Sequence, residues 1–212
     1  MTDRQTDRQG FDMRRFAGSR RRRVALVLNI APLYRKGIFT LLDNDPDIDF
    51  YFYAGEESRD VDALMDMRSL LGFRGYLRNI FRGEKLVWQR GWWRALAKRY
   101  DAYILTGNPG IRSNWLLMLS ARLMGRKVYL WSHGLYGNES PKQLRRNKLY
   151  MRMADGLFLY GDHGRKMLLQ NGFSRQKISV IYNSLDTEAH EKLRDRFAGA
   201  GFMRNIFGIA TF

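Results

Sequence analysis

Six short apolar runs, separated by segments of helical pattern, restrict the fold of this chain more than any other feature. They are residues 24–29, 49–54, 102–107, 127–132, 156–161 and 177–183. Most are continuously apolar rather than alternating. A strand wetted on one face alternates, whereas a strand covered on both faces need not, so the runs predict a parallel sheet between layers of helix. The gaps fit that expectation. Residues 111–124 predict a helix that buries Ile111, Trp115, Leu119 and Leu123 and stops at Gly125. Residues 141–154 predict another, with Ser140 as N-cap and Pro141 in the first turn. A third is expected over 163–171, ending at Gly172. Strands and helices in alternation with short links specify a doubly wound α/β sheet with right-handed crossovers. Between 55 and 100 the pattern is weaker: a helix near 60–71, a short strand near 85–89 and a helix over 92–99 are expected.

The chain has 212 residues, enough for one large domain, and 45% of them are apolar. It has no cysteine, which excludes disulfides and thiolate chemistry and is compatible with a reducing compartment. No run approaches the roughly 18–20 apolar residues of a spanning helix, and the N-terminus has no signal-peptide pattern. The expectation is a cytoplasmic protein, soluble or peripheral on the inner face of the plasma membrane. A formal charge of +16 favours anionic partners without choosing among phosphates, acidic lipid and nucleic acid. The first 23 residues carry eight arginines and three aspartates; residues 1–22 read as a disordered basic leader.

In an open parallel sheet, ligands bind beyond the C-terminal strand ends, near the point where strand order reverses. The distinctive polar residues of this chain fall there: Tyr34, Arg35, Lys36 and Gly37 after the first run, Asn108 after the third, His133 and Gly134 after the fourth, Tyr160 after the fifth, Asn183 and Ser184 after the last. Gathered at one edge, they would line a crevice rich in backbone N–H groups. Several chemistries are disfavoured. There is no G-x-G-x-x-G fingerprint, no Walker A sequence and no G-x-S-x-G elbow. His133, His163 and His190 lack metal-ligand spacing, so neither a metal nor a cofactor is expected.

The stretch WSHGLYG, followed by ADGLFLYGDHGRKMLLQNGFSRQKISVIYNSLD, resembles the N-terminal half of a GT-B glycosyltransferase and is similar to glycosyltransferase family 4. The likeness covers roughly residues 24–190, and residues 177–186 match a segment that in such proteins hinges into a second Rossmann-like domain. It implies a Rossmann-like GT-B N-terminal domain over 23–186 and a helical interdomain tail over 187–212. It also implies an acceptor-side role in transferring a sugar from a nucleotide-sugar donor to a glycan or lipid-linked acceptor, as in bacterial surface polysaccharide assembly. By motif His133 faces the transferred sugar and Gly37 takes the place of the loop glycine. The chain stops about where the donor-binding domain would begin, so two expectations stand: a truncated product with little activity, or a subunit whose second half is a separate chain.

Alternatives remain for single residues. His133 is a site residue or a strand-end histidine bonded to a carbonyl. Arg35 and Lys36 grip an anion or form a solvated loop. Asn108 bonds a substrate hydroxyl or caps the helix near 111. His163 and His190 read as surface residues. The segment 88–100 mixes Trp88, Trp92, Trp93, Leu96 and Tyr100 with four basic residues; it is core, or an interfacial helix meeting an anionic membrane surface. Helix 141–154 carries Lys142, Arg145, Arg146, Lys148 and Arg152; with its N-terminus near the His133 crevice it would attract phosphate through charge and dipole, with most of those side chains solvated. No nucleic-acid-binding motif is present, which disfavours that partner despite the charge.

Overall fold

The computed structural model describes residues 20–61 and 63–182. Eight strands form one sheet: β1 (Arg22–Leu28), β2 (Ile48–Gly55), β3 (Phe73–Arg82), β4 (Lys85–Arg90), β5 (Ala102–Thr106), β6 (Lys127–Ser132), β7 (Gly156–Leu159) and β8 (Ile178–Val180). Their order across the sheet is β4-β3-β2-β1-β5-β6-β7-β8. Every neighbouring pair is parallel except β3 and β4, an antiparallel hairpin at the edge. The order reverses between β1 and β5, which sets the switch point there.

Among the described residues, four helices cover the sheet: α1 (Lys36–Asp43), α2 (Arg112–Leu123), α3 (Pro141–Met153) and α4 (Asp162–Gln170). Phe39 of α1 packs with Leu26, Leu28 and Phe52 on one face. Leu117 and Met118 of α2, Tyr150 of α3 and Leu168 of α4 pack with Val27, Leu105 and Leu130 on the other. Helices on both faces explain why the central strands lack alternation. No helix among the described residues is long and apolar enough to cross a membrane.

The six sequence-derived strands all appear, within a few residues of their expected limits, and so do three of the expected helices. The Ser140 cap of α3 is a full capping box: Ser140 Oγ accepts from Gln143 N, and Gln143 Oε1 accepts from Ser140 N at 2.9 Å. Part of the expected leader belongs to the fold. Arg20 pairs with Asp101 at 3.2 Å, Arg21 pairs with Asp49 at 3.0 Å, and Arg22 opens β1.

The 55–100 region differs most from expectation. The described residues between 60 and 71 do not form an α-helix. Leu64 makes an isolated bridge with Pro32, and only Met67–Ser69 close a 3-10 turn, with Asp66 accepting from Arg68 N at 3.0 Å. The short strand expected near 85–89 is β4, whereas the long strand β3 carried no signal as a strand. The expected helix at 92–99 is a single 3-10 turn, Trp92–Ala95, entered through Gly91 at φ 89°. That turn packs Ala95 into the core and leaves Trp93 exposed, and Tyr100 is buried just beyond it. The face of α2 is the second correction. It buries Ser113, Asn114, Leu117, Met118 and Ala121 and turns Leu119 and Leu123 outward.

Candidate functional site

A cleft of about 440 Å³ opens at the C-terminal edge of the sheet, over the switch point. Its floor is Asn29 and Ile30 beyond β1 and Thr106–Asn108 at the end of β5. Its walls are Pro32, Tyr34 and Arg35 of the first loop, Trp131–Gly134 at the end of β6, Tyr160 after β7, and Arg146, Asn147 and Met151 of α3. Six of the sequence-derived candidates therefore meet in one place: Tyr34, Arg35, Asn108, His133, Gly134 and Tyr160. Gly37 does not join them; it sits in the first turn of α1, outside the lining. Asn183, Ser184 and His190 lie outside the described residues.

Arg35 organises one wall. Its guanidinium lies 5.1 Å from the ring centre of Trp131, 4.9 Å from Tyr160 and 5.5 Å from Tyr34, and it donates to Tyr160 Oη at 2.8 Å. Its Nε, like the indole Nε1 of Trp131, is buried without an acceptor among the described residues. His133 stands beside this group, its ring 4.4 Å from Tyr160 and 5.8 Å from Tyr136. It is exposed rather than enclosed in the core. Partial burial, then the Arg35 charge, hold its pKa below the ordinary imidazole value, so the ring is neutral at pH 7. Burial pushes the Tyr160 phenol up, so it remains a neutral donor and acceptor.

The loop carrying His133 is fixed by short-range chemistry. Ser132 Oγ accepts from Gly134 N at 3.0 Å and donates to Gly107 O at 3.3 Å, tying β6 to the cleft floor. Gly134 has φ 81°, a left-handed conformation that costs glycine nothing. Farther on, the Glu139 carboxylate accepts from Tyr136 N and Gly137 N, both at 2.9 Å. Gly164 in α4 lets the helix lie against the His133 carbonyl, where a Cβ would collide. His163 is a structural residue: its Nε2 contacts Tyr136 O at 3.0 Å. Asn108 serves its own loop, accepting from Gly110 N at 2.8 Å.

A buried polar chain runs from α2 to the cleft floor. Gln89 N donates to Ser113 Oγ at 3.0 Å, and Gln89 Nε2 donates to Leu28 O at 3.1 Å and to Asn79 Oδ1 at 3.0 Å. Asn79 Nδ2 donates to Asn29 O at 3.0 Å, and Asn29 N donates to Thr106 Oγ1 at 2.9 Å. Sequence reading missed Asn29, Thr106 and Tyr136, and had Arg146 only as one of the basic residues of the helix over 141–154. The first two directly follow or end apolar runs, a position that could have marked them.

Among the described residues lining the cleft there are two arginines, one neutral histidine and no carboxylate. No three His, Asp or Glu residues among those described lie close enough to hold a metal ion. The electrostatics favour an anion, and the aromatic walls offer stacking and CH contact to a ring.

The fold is a Rossmann-like half of the GT-B architecture. Solved structures with this arrangement include a UDP-GlcNAc 2-epimerase from Methanocaldococcus jannaschii, at 17% identity and a TM-score of 0.52, covering 90% of this chain and 53% of that one. A UDP-GlcNAc 2-epimerase from Neisseria meningitidis bound to UDP-GlcNAc is similar at 14% identity and 0.52, covering 88% and 54%. A MnaA–UDP co-structure from S. aureus is similar at 10% and 0.53, covering 84% and 51%. The chain thus spans about half the length of these proteins. No protein-family model matches it, and no curated protein does by sequence.

Proposed function

We propose that this chain is the acceptor-side half of a glycosyltransferase that moves a sugar from a nucleotide-sugar donor to a glycan or lipid-linked acceptor, within surface polysaccharide assembly. The observation that carries the reading is the composition of the cleft: Arg35 and Arg146, a neutral His133, aromatic walls and no carboxylate. Transfer without a protein nucleophile requires stabilising the departing diphosphate and the oxocarbenium-like sugar, and fixed donors supply that. Arg35 and Arg146 would hold phosphate oxygens, and an acceptor oxygen near Arg35 would also relieve its buried Nε. His133 would donate to a sugar hydroxyl or phosphate. The donor-binding half would come from a second Rossmann-like domain or from a separate chain.

A second reading, epimerisation of a nucleotide-sugar, has the likeness to the two epimerase structures in its favour. Inverting a carbon centre requires removing and returning a proton, and the cleft offers His133 as its one histidine with no carboxylate to share that work. That favours transfer.

Calorimetric titration with UDP and UDP-sugars tests the phosphate-binding part. Binding that weakens with salt and with Arg35→Ala is expected; absence of binding to any nucleotide or phosphorylated acceptor overturns it. With the completing half present, release of nucleoside diphosphate should depend on an acceptor. Release of a C2-inverted sugar without an acceptor would favour epimerisation.

A further inference from the structure

We propose that the outward face of α2 and α3 docks on an anionic lipid bilayer. The face is built the wrong way round for water. On α2 the inward side carries the small and polar Ser113, Asn114 and Ala121 beside the buried Leu117 and Met118. The outward side carries Leu116, Leu119 and Leu123, spaced by three and four residues in a single stripe and 42%, 47% and 80% exposed. The turn Trp92–Ala95 packs beside α2 and holds Trp93 out at 60% exposure. Helix α3 packs on the same face of the sheet and meets α2 through Trp115 and Tyr150, with ring centres 4.9 Å apart. Its outward stripe is Lys142, Arg145, Leu149 and Arg152, all exposed.

Charge identifies what covers this surface. Residues 24–89 carry eight basic and ten acidic side chains, whereas residues 90–182 carry 17 basic and four acidic. Three of those four carboxylates are already paired: Asp101 with Arg20, Asp155 with Arg122 and Lys127, and Asp162 with Arg165. None of the ion pairs among the described residues engages Lys142, Arg145 or Arg152. A second copy laid on the same face would set arginine against arginine. A bilayer with acidic headgroups meets both demands: leucines and a tryptophan for the interface and cations for the headgroups. The interfacial element is thus α2, with residue 93 as its neighbour, rather than a helix over 92–100.

The full chain is mixed with vesicles of phosphatidylcholine, with and without phosphatidylglycerol, and sedimented. Binding to the acidic vesicles that weakens with salt is expected. The variant Leu116→Ser/Leu119→Ser/Leu123→Ser, which keeps the basic N-terminal residues and the core, should lose roughly tenfold or more in partitioning. Emission of wild-type protein should be quenched by brominated lipid, and Trp93→Phe should remove part of that quenching; this readout does not require the triple variant to fold. The proposal is overturned by absence of binding to acidic vesicles, by equal binding of a folded triple variant, by unquenched emission, or by a lipid-free dimer that the leucine substitutions dissociate. None of these outcomes depends on whether the cleft transfers sugar.

Discussion

Arg35 and Tyr160 are 125 positions apart in the chain, yet the guanidinium donates to the phenol at 2.8 Å. The bond joins the loop after β1 to the end of β7 and bridges two intervening strands, β5 and β6. It fixes the cation against aromatic faces before any ligand arrives, so little side-chain entropy remains to be lost on binding. Arg35→Ala should weaken UDP binding roughly tenfold or more, since a charged hydrogen bond contributes about 1.5–3 kcal/mol. Tyr160→Phe, which keeps the ring but not the hydroxyl, should cost less. Calorimetry on both variants checks the order; a larger loss from Tyr160→Phe would contradict it.

His133 binds its proton less tightly in the folded chain than in the unfolded one, through burial and the Arg35 charge. Its contribution to stability is therefore fully present above the unfolded imidazole pKa and is lost as pH falls through that value toward the lower folded one. Melts of wild type and His133→Asn should diverge below about pH 6.5, with the wild type losing more. A bound phosphate should raise the imidazole pKa, which proton NMR titration with and without UDP will read.

Gly164→Ala places a methyl against the His133 carbonyl. Backbone cannot swing aside as a long side chain does, so α4 or the loop must move. A loss of about 1–3 kcal/mol in denaturant unfolding is expected, together with weaker ligand binding. Gly161→Ala, where a Cβ meets open space, serves as the control.

Asn79→Ala should cost about 1–3 kcal/mol, because Gln89 Nε2 would lose a buried acceptor and Asn29 O a buried donor. Urea midpoints measure it. Nucleotide affinity should fall as well, since the same chain of bonds reaches Thr106 on the cleft floor.

Ser140→Ala removes the cap of α3 and should cost about 1 kcal/mol, read from the same urea midpoints.

The central sheet was legible because burial on both faces writes itself as unbroken apolar runs, and the cleft residues were legible because such sheets place them at strand ends. The edge was not. In β3 the arginines at 74, 78 and 82 interrupt the apolar residues, and its buried positions include Asn79, whose partner Asn29 lies 50 positions away in sequence. Helix α2 misled for a related reason. Its apolar stripe is real, but Ser113 is needed inward to accept from Gln89 N, and Asn114 to donate to Thr106 O at 3.2 Å. Tertiary hydrogen bonding outweighed the hydrophobic pattern. Gly37 was assigned by motif alone, and it lies in the first turn of α1, outside the cleft lining.

Helix α3 presents Arg146, Asn147 and Met151 to the cleft and Lys142, Arg145, Leu149 and Arg152 to the outside. A single α-helix is about 10 Å across with its side chains. A molecule with a phosphorylated head and a long hydrocarbon tail therefore has only one rod's thickness to cross between the two environments, and the rod itself offers cations on both sides of that path.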